Sequence, residues 1–366
     1  MARRLPGGKA GLQGADARRS VLIELQTLRD GGQPAERTAH ALADFVAAAQ
    51  RTLEIAIYDF HLSDDVKPIV EGALVAAAQR GVAVRLAYNV DHAKRANVPP
   101  PPLTRPELVE ELPFPTAAIP GVPDLMHHKY LIRDRASVWT GSTNWTNDAW
   151  TREENVVVTL ESPDLAARYL VDFEQLWERR SVLHSGRVET APVSAEGTSI
   201  RPWFCPGRGE NLAHRIAQAI GEARRRVRIA SPVISSGPIL GTLAQVASDG
   251  KVDLAGVVDL TQVREVLQQW HENGNSEWKI PLLRASLTRA PFSGKVSTPY
   301  APGSIHDYMH AKVTVADDRV FVGSFNLSHS GEMNAENVLE IADATLAERL
   351  AAFVDEVRSR YAPVEI

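Results

Sequence analysis

Cysteine is almost absent from this sequence. Its single thiol is Cys205. One cysteine cannot form a disulfide within the chain, and it excludes a zinc site built from several thiolates. A lone cysteine in a chain of this kind is most often a small core or strand residue, and we expect Cys205 to be one.

Long hydrophobic runs are also missing. No stretch of about 18 apolar residues, the length that a membrane-spanning helix needs, occurs anywhere in the chain. The first twenty residues are polar and rich in glycine and arginine, without the apolar segment of a secretory signal. We therefore expect residues 1–20 to form a flexible tail, and the protein to be cytoplasmic.

An excess of positive charge is missing as well. Acidic residues number 45 against 40 basic ones, which gives a formal net charge of −5. This balance argues against a protein devoted to coating nucleic acid, although it leaves room for a local basic groove. The length of 366 residues and a hydrophobic fraction of 44% suit two modest globular domains or one large one.

What the sequence does contain is one motif in two copies. Residues 126–134 read MHHKYLIRD and residues 309–317 read MHAKVTVAD, so both follow the pattern His-x-Lys-x4-Asp. The same later residue types follow each copy in the same order. The first copy consists of His127, Lys129, Asp134, Gly141, Ser142, Asn144 and Glu154. The second consists of His310, Lys312, Asp317, Gly323, Ser324, Asn326 and Glu336.

The spacing shows that the two copies are a duplication. Every offset after the aspartate is shorter by one residue in the second copy, as a single deletion in one surface turn would produce. The similarity also extends upstream, because residues 36–60 align with residues 210–234 at a constant offset of 174. In both stretches apolar residues at helical spacing lead into a short β-type run.

The order of these patterns predicts the fold class. A second helix follows in each copy, closed by Gly81 or Gly250, and then a further strand. Strands that alternate with helices indicate an α/β fold with two related halves, each a mostly parallel central sheet sandwiched by helices. The predicted boundaries are a first half at 21–180, a linker at 181–197 and a second half at 198–366.

Each half is predicted to contain an irregular insertion before its motif. Residues 92–125 hold the run PPPP and further prolines, and residues 260–308 hold Trp270 and Trp278. Long loops at this position are where substrate selection would take place. Simple surface excursions are an equal alternative for most of these residues.

The duplicated residue types suit phosphodiester chemistry without a metal ion. On a strand, His127 and Lys129 project from the same face because they lie two residues apart. Two lysines and two asparagines can neutralise the charge on phosphate oxygens, while one imidazole attacks phosphorus and the other protonates the leaving oxygen. Glu154 and Glu336 can each hold an imidazole in the useful tautomer. One copy supplies only one histidine, so the two copies must face each other.

With both motifs complete, the sequence resembles the phospholipase D superfamily over nearly all of the chain after the tail. The resemblance implies two α/β/α halves related by pseudo-twofold symmetry, one site at their interface, and a covalent phosphohistidine intermediate. It implies His127 as nucleophile and His310 as general acid and then base. The phosphate would be gripped by Lys129, Lys312, Asn144 and Asn326. The histidine-orienting acids would be Glu154 and Glu336.

The remaining motif residues are expected to be structural. Asp134 and Asp317 lie on the turn side of each hairpin, and Gly141, Ser142, Gly323 and Ser324 shape the strand that returns. His128 should point to the opposite face from its neighbour and pack away from the site. His306 and Asp307 either line the entrance or lie in a solvated loop, and Trp145 and Trp150 are core aromatics by default.

The substrate stays open at this stage. A metal site formed by His127, His128 and His310 is disfavoured because adjacent strand residues diverge, so neither a metal nor another cofactor is expected. A binding protein without activity is disfavoured because both motifs are intact. A phospholipase D-type hydrolase or transferase is preferred, an endonuclease acting on DNA or RNA is the alternative, and a phosphatidyltransferase is less favoured. We further expect a monomer that can contact membranes peripherally.

Overall fold

The computed structural model of the protein describes residues 23–92, 100–195 and 197–366. The tail expected at residues 1–20 lies outside these residues. Among the helices described, none is both long enough and apolar enough to cross a bilayer.

The first repeat, residues 24–179, is built on a central sheet. The strands are β1 (Glu24–Leu28), β2 (Thr52–Ile57), β3 (Phe60–His61), β4 (Ala83–Val90), β5 (Thr116–Pro120), β6 (Lys129–Arg133), β7 (Ser137–Gly141), β8 (Trp145–Thr146) and β9 (Asn155–Glu161). The helices are α1 (Ala35–Ala47), α2 (Lys67–Gln79), α3 (Pro106–Glu110), α4 (Asn147–Thr151) and α5 (Pro163–Arg179). The sheet order is β1-β9-β7-β6-β2-β4-β5, and β3 pairs separately with β8.

The second repeat, residues 193–359, has the same plan. The strands are β10 (Val193–Ala195), β11 (Thr198–Cys205), β12 (Arg226–Ser231), β13 (Asp253–Asp259), β14 (Phe292–Lys295), β15 (Val313–Ala316), β16 (Arg319–Gly323) and β17 (Glu336–Ala342). The helices are α6 (Gly209–Glu222), α7 (Gly237–Asp249), α8 (Leu260–Asn273), α9 (Ile280–Thr288), α10 (His329–Met333) and α11 (Ala344–Ser359). The sheet order is β10-β11-β17-β16-β15-β12-β13-β14.

Strand directions confirm the predicted α/β class. In the first sheet, five strands run in the same direction, namely β1, β2, β4, β5 and β7. In the second sheet, five strands also share one direction, namely β11, β12, β13, β14 and β16. Both sheets are therefore mostly parallel in direction. Only β2–β4–β5 and β12–β13–β14 are parallel as direct neighbours, because the motif hairpins β6–β7 and β15–β16 contribute antiparallel pairs.

The internal duplication is equally clear in the structure. Strands β2 and β12 begin at residues 52 and 226, and helices α1 and α6 begin at residues 35 and 209. Both differences equal the offset of 174 that the sequence predicts. Gly250 caps helix α7 after Asp249, and its φ of +61° places it in the left-handed region that a C-terminal cap uses.

The prediction of irregular insertions is wrong for much of both segments. Strand β5 lies in the first segment as the edge of the sheet, where Pro120 at the strand end costs no ladder bond. Most of the second segment is regular, since it contains α8, α9 and β14. The Asp259 carboxylate caps α8 by accepting a 3.0 Å hydrogen bond from the Gln262 backbone N–H.

The predicted linker also contains regular structure. A 3-10 turn spans Val182–His184, and β10 pairs with β11 as the edge of the second sheet. The division of the chain at residues 181–197 stays a prediction.

Packing between the repeats places the two motifs side by side. One large hydrophobic cluster contains buried side chains from both sheets together with helices α5 and α11. Met126 and Met309, the residues before the two motif histidines, both belong to it and are fully buried. Two further clusters lie on the outer faces, beneath α1 and α2 in one repeat and beneath α6 and α7 in the other. The predicted sandwich of each sheet between helices is thus present.

Candidate active site

The two motif histidines are held by the backbone of the opposite repeat. The His127 N–H donates to the Ala335 carbonyl at 2.9 Å, and the His310 N–H donates to the Glu154 carbonyl at 3.2 Å. Each histidine lies just before its strand, β6 or β15, and these crossed hydrogen bonds bring both to the same interface. The two copies therefore meet as the duplication requires.

Both imidazoles line one pocket at the interface between the repeats. Its walls come from both repeats and include the two motif asparagines. The lining residues are Tyr58, Asp59, Pro100, Pro101, His127, Asn144, Glu153, Pro232, Gln262, His306, Tyr308, His310 and Asn326. The pocket thus brings two imidazoles and two amides around one small space.

The two ring nitrogens of His127 differ in their hydrogen bonding. Its Nδ1 shares a hydrogen bond with the Glu336 carboxyl group, with distances of 2.9 and 3.0 Å to Oε1 and Oε2. Its buried Nε2 has no hydrogen-bond partner among the residues described. Burial, followed by the charges of Lys129 and Lys312, lowers the pKa of His127 well below its usual value. The ring is therefore neutral, with a free lone pair on Nε2.

Glu336 is itself fixed by polar neighbours. Ser324 donates its hydroxyl to Oε2 at 2.5 Å, and Asn334 donates its side-chain amide to Oε1 at 3.3 Å. Burial raises the pKa of Glu336 to about 8, although Lys129 opposes that rise. The carboxylate and the imidazole thus form a coupled buried pair.

His310 has a different environment from His127. Its Nδ1 lies 3.1 Å from Asn155 Oδ1 and 3.3 Å from Glu153 Oε2. Asn155 also donates to Glu153 Oε2 at 3.0 Å and accepts from the Ser142 hydroxyl at 2.7 Å. Burial lowers the pKa of His310 and raises that of Glu153 to about 8. The structure thus orients the second histidine by an amide and a more distant carboxylate.

Glu154, predicted to orient an imidazole, contacts neither imidazole. Its carboxylate accepts from Lys295 Nζ at 3.0 Å and from the Tyr361 hydroxyl, so it joins the first repeat to the second. The reason is an extra residue between α4 and β9. Gly141 pairs with Val157 whereas Gly323 pairs with Val338, so the structural counterpart of Glu336 is Asn155.

The two motif lysines are buried beside the histidines. Lys129 donates from Nζ to the His127 carbonyl at 2.7 Å, and Lys312 donates to the His310 carbonyl at 2.5 Å. The Lys129 ammonium also lies 4.8 Å from the centre of the Tyr58 ring. Burial lowers the pKa of Lys129 to about 7 and that of Lys312 well below its usual value. Two desolvated ammonium groups of this kind are strongly stabilised by a bound anion.

The motif asparagines face the same pocket. The side-chain oxygens of Asn144 and Asn326 are buried and have no hydrogen-bond partner in the described part of the chain. An unpaired buried amide oxygen is unfavourable unless a hydrogen-bond donor reaches it. The structure therefore brings together seven of the eight proposed catalytic side chains, all except Glu154.

The motif aspartates lie at the far end of each hairpin. Asp134 accepts backbone hydrogen bonds from Gln50, Arg51 and Thr52, the closest at 2.6 Å. Asp317 accepts from the N–H groups of residues 224–226 in the same way. Both have a positive φ. They connect each motif turn to the start of β2 or β12, away from the pocket.

The motif glycines and serines hold the returning strands close together. A Cβ on Gly141 would lie 2.0 Å from the Val156 carbonyl oxygen, and one on Gly323 would lie 2.0 Å from that of Asn337. Only glycine allows this approach. The Ser142 hydroxyl contacts Asn155, just as Ser324 contacts Glu336, so each serine positions the residue that orients a histidine.

The structure also shows where the residues beside the two motifs lie. His128 points away from the pocket, with Nδ1 3.2 Å from Asn337 Oδ1 and Nε2 3.0 Å from Asp172 Oδ2. This orientation separates it from His127 and His310 and removes the metal-ligand set built on all three. His306 lines the pocket, while Asp307 accepts from Thr298. The side chains of Trp145, Trp150 and Cys205 are fully buried.

Sequence reasoning missed some of the pocket residues. Tyr58 follows β2 and its ring centre lies 4.7 Å from that of His127, and Pro232 takes the equivalent position after β12 at the offset of 174. That offset could have identified both residues. Nothing in the sequence singles out Glu153 or Tyr308.

Comparison with known proteins agrees with this geometry. The family described as "Cardiolipin synthase, PLD-like domain" matches residues 42–177 and 216–358. The chain belongs to the phospholipase D superfamily. Its two matched segments coincide with the two repeats, and each contains one His-x-Lys motif.

Curated relatives cover part of the chain. It is 30% identical over 139 residues to mitochondrial cardiolipin hydrolase from Chlamydomonas reinhardtii, covering 37% of this chain and 55% of that protein. It is 32% identical over 102 residues to phospholipase D from Rickettsia felis, covering 28% of this chain and 48% of that protein. The chain thus spans about half the length of these relatives.

A solved structure matches the whole fold. Phosphatidylserine synthase from Haemophilus influenzae superposes with a TM-score of 0.63 at 13% identity, covering 94% of this chain and 88% of that one. Polyphosphate kinase from Porphyromonas gingivalis gives a TM-score of 0.55 at 13% identity, covering 91% of this chain and 50% of that one. At these identities the likeness shows the shared fold.

Proposed function

We propose that this protein is a phosphodiesterase that cleaves phospholipids through a covalent phosphohistidine, without a metal ion. One observation carries the proposal. His127 has Nδ1 fixed by Glu336 and Nε2 unpaired, and its ring lines the same pocket as His310. This is the arrangement that a nucleophile and a general acid on opposite sides of a phosphate need.

In the first step, Nε2 of His127 attacks phosphorus and forms an N–P bond while the bond from phosphorus to the leaving oxygen breaks. His310 gives its Nε2 proton to that oxygen, so the leaving group departs as a neutral alcohol. The Nδ1 proton of His127 stays on the side of Glu336, whose negative charge stabilises the positive phosphoimidazole. The buried cations Lys129 and Lys312 offset the charge on the non-bridging oxygens.

In the second step, His310 is neutral and acts as the base. It removes a proton from water, the oxygen attacks phosphorus, and the N–P bond breaks. His127 returns to its neutral form and the phosphomonoester leaves. An alcohol in place of water would give transfer instead of hydrolysis by the same route.

A phospholipid substrate is supported by the surroundings of the pocket. The segment 296–308 supplies His306 and Tyr308 to the pocket, and it also exposes Val296 and Ile305, which are 68% and 50% accessible. Exposed aliphatic side chains beside an active site suit contact with a lipid surface. The relatives named cardiolipin hydrolase and phospholipase D point to the same class.

A nucleic acid fits the pocket less well. Two carboxyl groups, those of Asp59 and Glu153, line the pocket itself. A polyanionic strand would have to pass these groups, whereas a lipid presents one phosphodiester at a time.

The deciding experiment offers two substrate classes to the protein in EDTA. Wild type and His127→Ala are incubated with mixed phospholipid vesicles, and separately with labelled single- and double-stranded DNA and RNA. We expect head-group release that requires His127 and no strand cleavage. Strand cleavage that requires His127 would make the protein a nuclease, and loss of activity in EDTA that zinc or magnesium restores would overturn the metal-free mechanism.

A second measurement tests the intermediate. Wild type quenched during turnover of a phosphate-labelled lipid should carry a base-stable, acid-labile phosphoryl group, and His127→Ala should carry none. Label retained by the variant would refute His127 as nucleophile. Cytoplasmic location and a monomeric state stay predictions, which cell fractionation and light scattering test.

A further inference from the structure

Each motif histidine lies in irregular backbone just before its strand. Strand β6 begins at Lys129 and β15 begins at Val313, so regular strand pairing starts after His127 and His310. The positions of both imidazoles therefore depend on hydrogen bonds from outside the strands. One of these is the crossed hydrogen bond from each histidine N–H to a carbonyl of the other repeat.

A second hydrogen bond fixes the residue before each histidine. The Met126 N–H donates to Asn89 Oδ1 at 2.9 Å, and the Met309 N–H donates to Asp259 Oδ2 at 3.0 Å. Both acceptor side chains are fully buried, and neither belongs to the pocket lining. They therefore act on the histidines through the backbone.

Asn89 and Asp259 occupy equivalent places in the two sheets. Ile55 pairs with Leu86 in the first sheet, and the residue 174 positions after Ile55 pairs with Gly256 in the second. Asn89 and Asp259 each lie three residues further along the same strand, β4 or β13. Both repeats thus make the same contact at the same place.

The difference between amide and carboxylate follows from the other neighbours of each side chain. Asn89 donates from Nδ2 to the Asp91 carbonyl at 2.9 Å, so its two ends must accept and donate. The second oxygen of Asp259 accepts from the Gln262 N–H at 3.0 Å and from the Ser297 hydroxyl at 2.7 Å. Both ends of Asp259 must therefore accept, which a carboxylate does and an amide does not.

Asp259 thereby joins three walls on the His310 side of the pocket. Gln262 lines the pocket itself, and Ser297 lies in the segment 296–308, which supplies two further lining residues. Burial raises the pKa of Asp259 to about 6, although its three hydrogen bonds oppose the rise. The group is therefore ionised at neutral pH, and hydrogen bonds to a charged acceptor are stronger than those to a neutral one.

We propose that Asp259 and Asn89 are positioning residues, Asp259 for the general acid His310 and Asn89 for the nucleophile His127. Each fixes the peptide group before its histidine and so determines where the imidazole lies relative to the phosphate. This inference rests on the proposed function, because the roles of the two histidines come from it. Since each histidine has its own anchor, each step of the reaction can be impaired separately.

A substrate that needs no general acid separates the two roles. Bis(p-nitrophenyl) phosphate releases nitrophenolate, a weak base, so formation of the phosphohistidine needs His127 and no proton from His310. Breakdown of the intermediate still needs His310 as the base. Rapid mixing with excess substrate therefore gives a burst whose rate reports on His127, followed by steady-state turnover that reports on His310.

Asp259→Asn leaves one acceptor oxygen where two are required. We expect it to lower steady-state turnover by about tenfold or more, as a small displacement of a catalytic group does, and to leave the burst rate nearly unchanged. Asn89→Ala should slow the burst itself. Asp253→Asn is the matched control, because Asp253 is exposed at the other end of β13 and should leave both phases unchanged.

Parallel losses of burst and turnover in Asp259→Asn would overturn the proposal. That pattern would follow if Asp259 acted by its charge on Lys312, or if it merely supported the fold. Urea denaturation of the same preparations measures the change in stability, so that a loss of folded protein is not read as a loss of turnover.

Nitrogen NMR of isotope-labelled histidines tests the two anchors without turnover. His127→Ala and His310→Ala assign the ring signals. Asp259→Asn should shift the ring nitrogens of His310 more than those of His127, and Asn89→Ala should do the reverse. Equal shifts of both rings, or no shift, would refute the inference. Absence of a His127-dependent burst in the wild type would instead refute the proposed function, and the NMR result would still decide on the anchors.

Discussion

Glu336 holds Nδ1 of His127 at 2.9 Å although the two residues lie 209 positions apart. The pair crosses the interface between the repeats, since His127 precedes a strand of the first sheet and Glu336 begins a strand of the second. A carboxylate on Nδ1 keeps the proton there and leaves the lone pair on Nε2. In the proposed mechanism, the interface therefore determines which nitrogen attacks phosphorus.

Replacing Glu336 with glutamine should lower kcat by roughly 10³-fold or more, as loss of a histidine-orienting carboxylate does in hydrolase triads. The amide cannot offset the positive charge on the phosphorylated imidazole. Steady-state kinetics on phospholipid vesicles measure the effect. Glu154→Gln is the control, because Glu154 contacts neither imidazole and should mainly lower the free energy of unfolding. A similar loss of kcat in both variants would contradict the assignment.

Glu153 should control the basic limb of the pH–rate profile. Burial raises its pKa to about 8, so it ionises as the pH rises towards that value and then holds the proton on His310. Glu153→Gln removes this charge and should move the basic limb to lower pH, because the general acid then loses its proton earlier. Asn155→Asp places a carboxylate at 3.1 Å and should move the limb to higher pH. Unchanged profiles in both variants would rule out this role.

Replacing Lys129 or Lys312 with methionine should reduce turnover by about 100-fold or more without unfolding the protein. Each ammonium group is fully desolvated, so an apolar side chain of similar length is tolerated or even stabilising in its place. Kinetics and urea denaturation on the same preparations separate the two effects. Loss of the cooperative unfolding transition would mean that the lysines support the fold.

Asp134→Asn should destabilise the fold by about 2 kcal/mol while leaving kcat nearly unchanged, because a charged acceptor of three backbone N–H groups is lost. Those hydrogen bonds lower the pKa of Asp134 although burial opposes them. Its contribution is therefore complete above the unfolded pKa of about 4 and is lost as the pH falls through the folded value. Urea denaturation at several pH values should show the two proteins converging in acid.

Sequence reasoning predicted the repeats and the composition of the site because both depend on local patterns. The offset of 174 identified β2 and β12, whereas the predicted strand position of His127 is wrong because β6 begins at Lys129. Local patterns could not show which acidic residue orients which histidine. Glu154-Asn155 and Glu336-Asn337 are the same dipeptide, yet one extra residue after α4 shifts the first pair by one position in the sheet.

The insertions show a second limit. The prolines of residues 92–125 indicate irregular structure, yet Thr116–Pro120 forms a strand that pairs with β4. In the other insertion, Leu260, Val263 and Leu267 have helical spacing, and they lie on α8. Pairing at a sheet edge depends on a partner strand that the local sequence does not contain.

The crossed pair between Glu336 and His127 has a consequence for protein synthesis. As the chain leaves the ribosome, the nucleophile is complete some two hundred residues before the carboxylate that orients it. A nascent first repeat therefore has no oriented nucleophile and no partner histidine. In the proposed mechanism, turnover therefore begins only after residue 336 has been added and the second sheet has formed.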